Sequence, residues 1–188
     1  MAKVSIIGTG TWGIALGMVL AQNGHEVTAW SALPKEIEAL RESYKCKNLP
    51  GVEIPRSIVF TADLQEACTD KEMLVLSVPS VFTRGVAKQM NPFVKEGQLI
   101  VSVAKGIEEK TLMTMSQQIE EELPMANVAV LSGPSHAEEV SRGIPTTVVA
   151  GAKDRQTAEH IQNLFMSSVF RVYTSPDILG IELGGALK

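Results

Sequence analysis

Cysteine is scarce: the 188 residues contain only Cys46 and Cys68. Their spacing makes neither a disulfide framework nor a metal site, and such usage suits a reducing cytoplasm. Cys46 reads as a loop thiol and Cys68 as a small helix hydrophobe. Histidine is scarce too, with His25, His136 and His160 scattered along the chain, so no metal site is expected. An excess of positive charge is missing: the formal net charge is −4 and no basic cluster occurs, which argues against nucleic acid as a partner. Long hydrophobic runs are missing as well. Apolar stretches are broken by Gly, Ser or Asn within about ten residues, where a membrane span needs about 20, and no signal or transit peptide is visible. No internal repeat or low-complexity tract interrupts the chain.

What remains is an ordinary globular composition, 45% hydrophobic and 20% charged, with enough aliphatic residues to cover both faces of a sheet. It is organised around its first hydrophobic strand, Val4 to Ile7, and the turn Gly8-Thr9-Gly10-Thr11-Trp12-Gly13. A β-prone run passes through Gly-x-Gly-x-x-Gly into Ile14 to Ala21, which reads as a buried helix. Gly8 allows the turn, Gly10 lets backbone approach a pyrophosphate with no Cβ in the way, and Gly13 lets helix pack closely on strand. The free N–H groups at the helix start then face the diphosphate. A bare glycine triplet is weak; strand before, helix after and a second strand at Glu26 to Trp30 make it a dinucleotide-binding signature.

Further on, a helix is expected over Pro34 to Glu42, a loop through Leu49-Pro50-Gly51, strands at Ile58 to Thr61 and Met73 to Val78, and a helix over Val81 to Met90. A strand at Leu99 to Val103, a long amphipathic helix from about Thr111 to Leu123, and a strand at Val128 to Leu131 follow. A short helix through Val140, a strand at Thr146 to Ala150, a helix over Asp154 to Met166 and a strand at Phe170 to Thr174 complete the alternation. Strand and helix alternate throughout, which predicts an α/β fold: a Rossmann-like, doubly wound, mostly parallel sheet with helices on both faces. Ser175-Pro176-Asp177 predicts a helix start, with Ser175 as N-cap and Pro176 at the first helical position. The apolar, glycine-containing helix from Ile178 to Lys188 reads as the beginning of a second domain, so residues 1–174 are expected as the dinucleotide-binding domain and 175–188 as the start of another.

In such a sheet, ligands gather at the carboxyl ends of the strands. The residues there are the glycine turn, Trp30-Ser31-Ala32, Val78-Pro79-Ser80, Ala104-Lys105-Gly106 and Ser132-Gly133-Pro134-Ser135. The second strand ends without the acid that usually receives the ribose hydroxyls, which favours NADP over NAD while leaving NAD acceptable. Lys105 has two readings, a solvated loop lysine or an ammonium placed to hold an anionic or carbonyl substrate. Ser135 to Glu138 has the spacing of a capping box. His136 follows that cap and is expected to point outward, a weaker base candidate than the lysines; His25 and His160 are expected to be structural or solvated. Lys188 follows Gly184 and Gly185 on one helix face, where a partly desolvated amine could act as a base.

Taken together, several blocks closely resemble the bacterial type of NAD(P)-dependent glycerol-3-phosphate dehydrogenase. They are Gly8-x-Gly10-Thr11-Trp12-Gly13, Asn23-Gly24-His25-Glu26-Val27, Leu49-Pro50-Gly51, Val78-Pro79-Ser80, Ala104-Lys105-Gly106-Ile107-Glu108, Leu131-Ser132-Gly133-Pro134-Ser135, Phe170-Arg171-Val172-Tyr173-Thr174 and Glu182-Leu183-Gly184-Gly185-Ala186-Leu187-Lys188. The resemblance implies reversible hydride transfer between sn-glycerol 3-phosphate or dihydroxyacetone phosphate and NAD(P), supplying glycerol 3-phosphate for phospholipid synthesis in the cytoplasm. It implies Lys188 as proton acceptor, and Lys105 in contact with both substrate and cofactor. Gly133 and Ser135 are implied to bind substrate; Gly8, Gly10, Thr11, Trp12, Gly13, Ala32, Pro79 and Ala137 are implied to face the cofactor. Ala32 stands where this family often has Arg or His, and His136 where Phe is common. The family continues into an all-helical domain, and its longer form is expected as a homodimer. The competing expectations are a related β-hydroxyacid dehydrogenase, which the Gly-Pro-Ser and Gly-Gly-Ala-Leu-Lys blocks oppose, and a non-catalytic NAD(P)-binding fragment.

Overall fold

A computed structural model describes residues 1–187. The strands are β1 (Lys3–Ile7), β2 (Glu26–Trp30), β3 (Val59–Thr61), β4 (Met73–Leu76), β5 (Leu99–Ser102), β6 (Asn127–Ser132), β7 (Thr146–Gly151) and β8 (Phe170–Ser175). The helices are α1 (Thr11–Gln22), α2 (Pro34–Ser43), α3 (Leu64–Cys68), α4 (Thr83–Met90), α5 (Met115–Glu122), α6 (Ala137–Val140), α7 (Arg155–Phe165) and α8 (Ile178–Ala186). One sheet of eight strands runs in the order β3-β2-β1-β4-β5-β6-β7-β8. All neighbouring strands pair in parallel except β6 and β7, which run antiparallel. A parallel return usually runs through a full crossover helix, and the link between these two strands carries only the single short turn of α6.

The central strands are apolar on both faces because both faces are covered. Alternate residues feed two cores: Val4, Ile6, Met73 and Val75 join Leu16, Leu20 and Phe165 on one side, while Ile7, Leu74 and Leu76 join Val86, Met90 and Ile119 on the other. Cys68 is buried at the end of α3, and burial pushes its thiol up to about 12, which keeps it protonated and inert. His25 is structural: its Nδ1 accepts from the Ala2 N–H at 3.2 Å, and its Nε2 lies 3.1 Å from the Leu164 carbonyl. His160 pairs with Glu72 on the surface.

Three local expectations are corrected. The helix expected from Thr111 starts at Met115, because Ile107 and Thr114 form an antiparallel bridge and Leu112 takes a left-handed φ of 60°. The capping box belongs to this helix, Thr114 with Gln117, and not to Ser135 and Glu138. α6 has His136 as its N-cap with no side-chain cap, since the Ser135 hydroxyl donates instead to the Gly133 carbonyl at 3.3 Å. α8 is capped by Asp177, whose carboxylate accepts from the Gly180 N–H at 2.9 Å, so Ser175 and Pro176 precede the helix. No helix among the described residues is long and apolar enough to cross a membrane.

Candidate functional site

β1 and β4 are adjacent, yet the chain leaves β1 towards β2 and β3 on one side and passes from β4 to β5 on the other. The connections that leave their carboxyl ends therefore diverge, which opens the usual crevice for a ligand in an open α/β sheet. The three glycines of the first turn take three different roles there. Gly8 adopts φ +120°, and a Cβ on it would lie 2.8 Å from the Val78 nitrogen. A Cβ on Gly13 would collide with the Gly8 carbonyl and come within 2.5 Å of the Ser77 hydroxyl. That hydroxyl is itself fixed by donating to the Gly8 carbonyl at 2.8 Å. A Cβ on Gly10 would meet no atom of the described residues within 4 Å. The space it would fill is the cleft itself.

Gly10 is also the N-cap of α1, a helix of 12 residues with no side-chain cap and no acid in its first turn. Its first N–H groups and positive dipole end are thus left for an anion at the rim of the crevice. Two clefts share that rim at Gly10, Ser77, Val78 and Pro79. One, of about 560 Å³, extends past Gly8 and Trp30 to Ala32, Leu33 and Glu36. The other, of about 510 Å³, extends past Thr11 and Trp12 to Lys105, Ser135 and Ala137. The Trp12 indole nitrogen and the Thr9 hydroxyl are buried without a hydrogen-bond partner among the described residues, and each residue lines one of these clefts. Unpaired buried polar atoms cost about 1–3 kcal/mol each, so the rim fits a ligand that supplies acceptors, as a dinucleotide does.

The polar end of the second cleft is built by convergence. Lys105 follows β5 and donates from Nζ to the Gly133 carbonyl at 3.1 Å. The Ser135 N–H donates to the same carbonyl at 2.9 Å. Lys105 is therefore drawn into the cleft and is not the solvated loop lysine of the alternative reading. Gly133 turns tightly under β7, where a Cβ would sit 2.8 Å from the Thr147 carbonyl. Gly185, on α8, offers a bare face to this cluster: a Cβ there would lie 2.7 Å from the Ser132 hydroxyl and 3.5 Å from Lys105 Cγ. Ala137 is buried along the same wall. His136 is exposed at its mouth. Lys188 lies outside the described residues.

Three contributors escaped the sequence. Glu36, from the first turn of α2, lines the first cleft and accepts from the Ser31 hydroxyl at 2.5 Å. Arg84, from α4, grips Glu108 through two bonds of 2.8 Å and also meets Glu121 and Glu122. Those bonds, with one from Thr111, hold the Glu108 carboxyl down at about 2 and pin the loop that carries Lys105. Glu182 is buried on α8 and accepts from the Ser116 N–H at 2.8 Å and from its hydroxyl at 2.6 Å, at the start of α5. A signal for Glu182 was present, since it is the sole acid in the apolar Ile178–Ala186. For Glu36 the signal was Pro34, which starts α2 early enough to turn its first acid back towards the strand end.

Comparison with known proteins accords with this geometry. The family described as NAD-dependent glycerol-3-phosphate dehydrogenase N-terminus matches residues 3–158. A relative from Agathobacter rectalis, named glycerol-3-phosphate dehydrogenase (NAD(P)+), is 61% identical over 189 residues, covering 100% of this chain and 56% of its own length. A relative of the same name from Fusobacterium nucleatum is 52% identical over 191 residues, covering 100% of this chain and 57% of its own. The crystal structure of glycerol-3-phosphate dehydrogenase from Coxiella burnetii superposes with a TM-score of 0.91 at 28% identity, over 98% of this chain and 57% of that one. The chain thus spans somewhat more than half the length of the proteins it matches.

Proposed function

The chain belongs to the NAD-dependent glycerol-3-phosphate dehydrogenase N-terminus family, and on that premise we propose that it forms the cofactor-binding part of an oxidoreductase. The reaction is reversible hydride transfer between NAD(P) and sn-glycerol 3-phosphate, with dihydroxyacetone phosphate as the keto partner. One observation carries the reading: two clefts meet at Gly10, and one of them ends where Lys105, Gly133 and Ser135 converge.

When bound, the nicotinamide supplies the hydride chemistry at C2 of the substrate. The residues of this chain orient the reactants and manage charge and protons. Gly8, Gly10 and Gly13 shape the rim for the pyrophosphate, with Thr11, Trp12, Pro79 and Ala137 along the nicotinamide side and Ala32 along the adenosine side. Lys105 holds its ammonium beside the Gly133 carbonyl, where it draws an anionic or carbonyl substrate into line with Ser135. Lys188 is the proton acceptor in this reading: as a neutral amine it removes the C2 hydroxyl proton during oxidation, and as an ammonium it returns it during reduction. The glycines before it support the assignment, because Gly185 lets α8 approach Lys105. Residues 175–188 open the helical domain of a longer form, which is a homodimer acting in the cytoplasm on phospholipid precursors.

The test mixes this chain, and a form continued past Lys188 through that helical domain, with reduced cofactor and dihydroxyacetone phosphate, following nicotinamide absorbance. Turnover is expected in the longer form and cofactor binding in both. A longer form that ignores dihydroxyacetone phosphate and reduces another keto acid or ketone overturns the substrate assignment. Lys188→Ala in the longer form should abolish turnover while cofactor affinity holds; retained turnover removes Lys188 from the proton-accepting role.

A further inference from the structure

The cleft that runs from Gly10 to α2 holds one ionised group. Of the described residues lining it, Glu36 alone carries a charge, and the rest are glycine, uncharged polar or apolar side chains such as Trp30, Leu33, Phe82 and Val86. Lys35, the nearest cation in sequence, is exposed and does not line the cleft. Glu36 is half-buried and held in place: the Ser31 hydroxyl donates to its Oε2 at 2.5 Å and itself accepts from the Leu33 N–H at 3.2 Å. Its other carboxylate oxygen has no protein partner among the described residues. Pro34 at the helix start turns this acid back against the end of β2. A fixed carboxylate with spare acceptor capacity suits the hydroxyls of a ribose, whereas a 2′-phosphate would bring a second anion into a cleft that no cation lines among the described residues.

We propose that Glu36, positioned by Ser31, makes this site select the dinucleotide without a 2′-phosphate. The inference rests on the reading of this cleft as the adenosine end of a dinucleotide site, and it reverses the NADP preference that the acid-free end of β2 suggested.

The test uses the 188-residue chain and needs no turnover. NADH and NADPH are titrated against it by nicotinamide fluorescence and calorimetry, with adenosine 5′-monophosphate and adenosine 2′,5′-bisphosphate as probes of the adenosine end alone. NADH is expected to bind about tenfold more tightly or better, the scale of one charge-assisted hydrogen bond. Glu36→Gln, which removes the charge at constant size, should bring the two affinities together, chiefly by strengthening NADPH. Ser31→Ala should narrow the ratio in part by releasing the carboxylate. Equal binding of the two dinucleotides by the unaltered chain, tighter binding of NADPH, or a ratio unmoved by Glu36→Gln in a protein with an unchanged circular dichroism spectrum overturns the proposal while the dinucleotide reading stands. If neither dinucleotide nor either adenosine probe binds, that reading falls and takes the proposal with it.

Discussion

Replacing Gly10 by alanine separates a binding role from a folding role within one turn. Gly10 has φ −62° and ψ 169°, which any residue adopts, and a Cβ there would meet no atom within 4 Å. Losing glycine's unfolded-state freedom stabilises by about 0.4–1 kcal/mol, and alanine's poorer performance at an N-cap offsets a similar amount. The stability of Gly10→Ala should therefore stay within about 1 kcal/mol of the original in urea unfolding, a range set by those two opposing terms. Gly13 lies inside α1, where alanine gains up to about 1 kcal/mol of helix propensity, but its methyl lands against the Gly8 carbonyl and 2.5 Å from the Ser77 hydroxyl. Backbone on one side and a hydrogen-bonded side chain on the other cannot yield cheaply, so a loss of about 1–3 kcal/mol or more is expected, as for overpacked cores. Dinucleotide binding should show the opposite order of specificity. Gly10→Ala should weaken it at least about tenfold in a protein that melts normally, because the methyl stands where the pyrophosphate must approach the helix end. The paired measurement is a urea curve and a fluorescence titration on each variant. A Gly10→Ala protein that binds NADH undiminished would refute the placement of the pyrophosphate at this rim, and one that unfolds as readily as Gly13→Ala would refute the claim that the space is open.

Two further outcomes follow from the buried and clamped carboxylates. Glu182→Ala should lower unfolding free energy by about 1–3 kcal/mol, since it strands the Ser116 N–H and hydroxyl at the start of α5; a change under about 0.5 kcal/mol, ordinary for a surface site, would show that α8 is not anchored there. Glu108 has its carboxyl lowered from 4.5 to about 2, first by the bond from Arg84, so its contribution is fully present above 4.5 and disappears as pH falls towards 2. Thermal melts of the original and of Glu108→Gln should therefore differ at neutral pH, converge across that acid window, and coincide below it; curves that remain parallel down to pH 2 contradict the clamp.

The elements that sequence alone made legible are those specified by adjacent residues. Val4 to Ile7 alternates between two cores, and the glycine turn carries its own conformational demands, so strand, turn and helix were readable together. The failures came where distant residues decide. Leu112 and Met113 extend an amphipathic pattern back from α5, yet the bridge between Ile107 and Thr114 takes that stretch out of the helix. Ser135 and Glu138 match a capping box as well as Thr114 and Gln117 do, but α6 starts one residue later, with His136 as its N-cap, and the Ser135 hydroxyl donates to the Gly133 carbonyl. At the end of β2 the expected position for an acid holds Ser31 and Ala32; the acid that lines the cleft arrives from the next helix. Pattern matching at fixed spacing misses a side chain returned by a turn.

The same distinction separates what this site needs for binding from what the proposed hydride transfer needs. The rim at Gly10 is made by β1, α1 and the end of β4, elements joined by parallel pairing and shared cores, and no part of α8 lines either of the two clefts that meet there. Lys105 has a different dependence. Its loop is held from α4 by Arg84 through Glu108, its ammonium rests on the Gly133 carbonyl beyond β6, and its stem lies against Gly185 of α8, which Glu182 ties to α5. A disturbance at α8 therefore reaches Lys105 without touching the glycine turn. Near-attack alignment degrades with shifts of about 1 Å, whereas an anion at a helix end depends on backbone N–H groups that such a shift leaves in place. Loosening α8 should consequently spare dinucleotide affinity while removing substrate alignment, an ordering that follows from which elements carry each group.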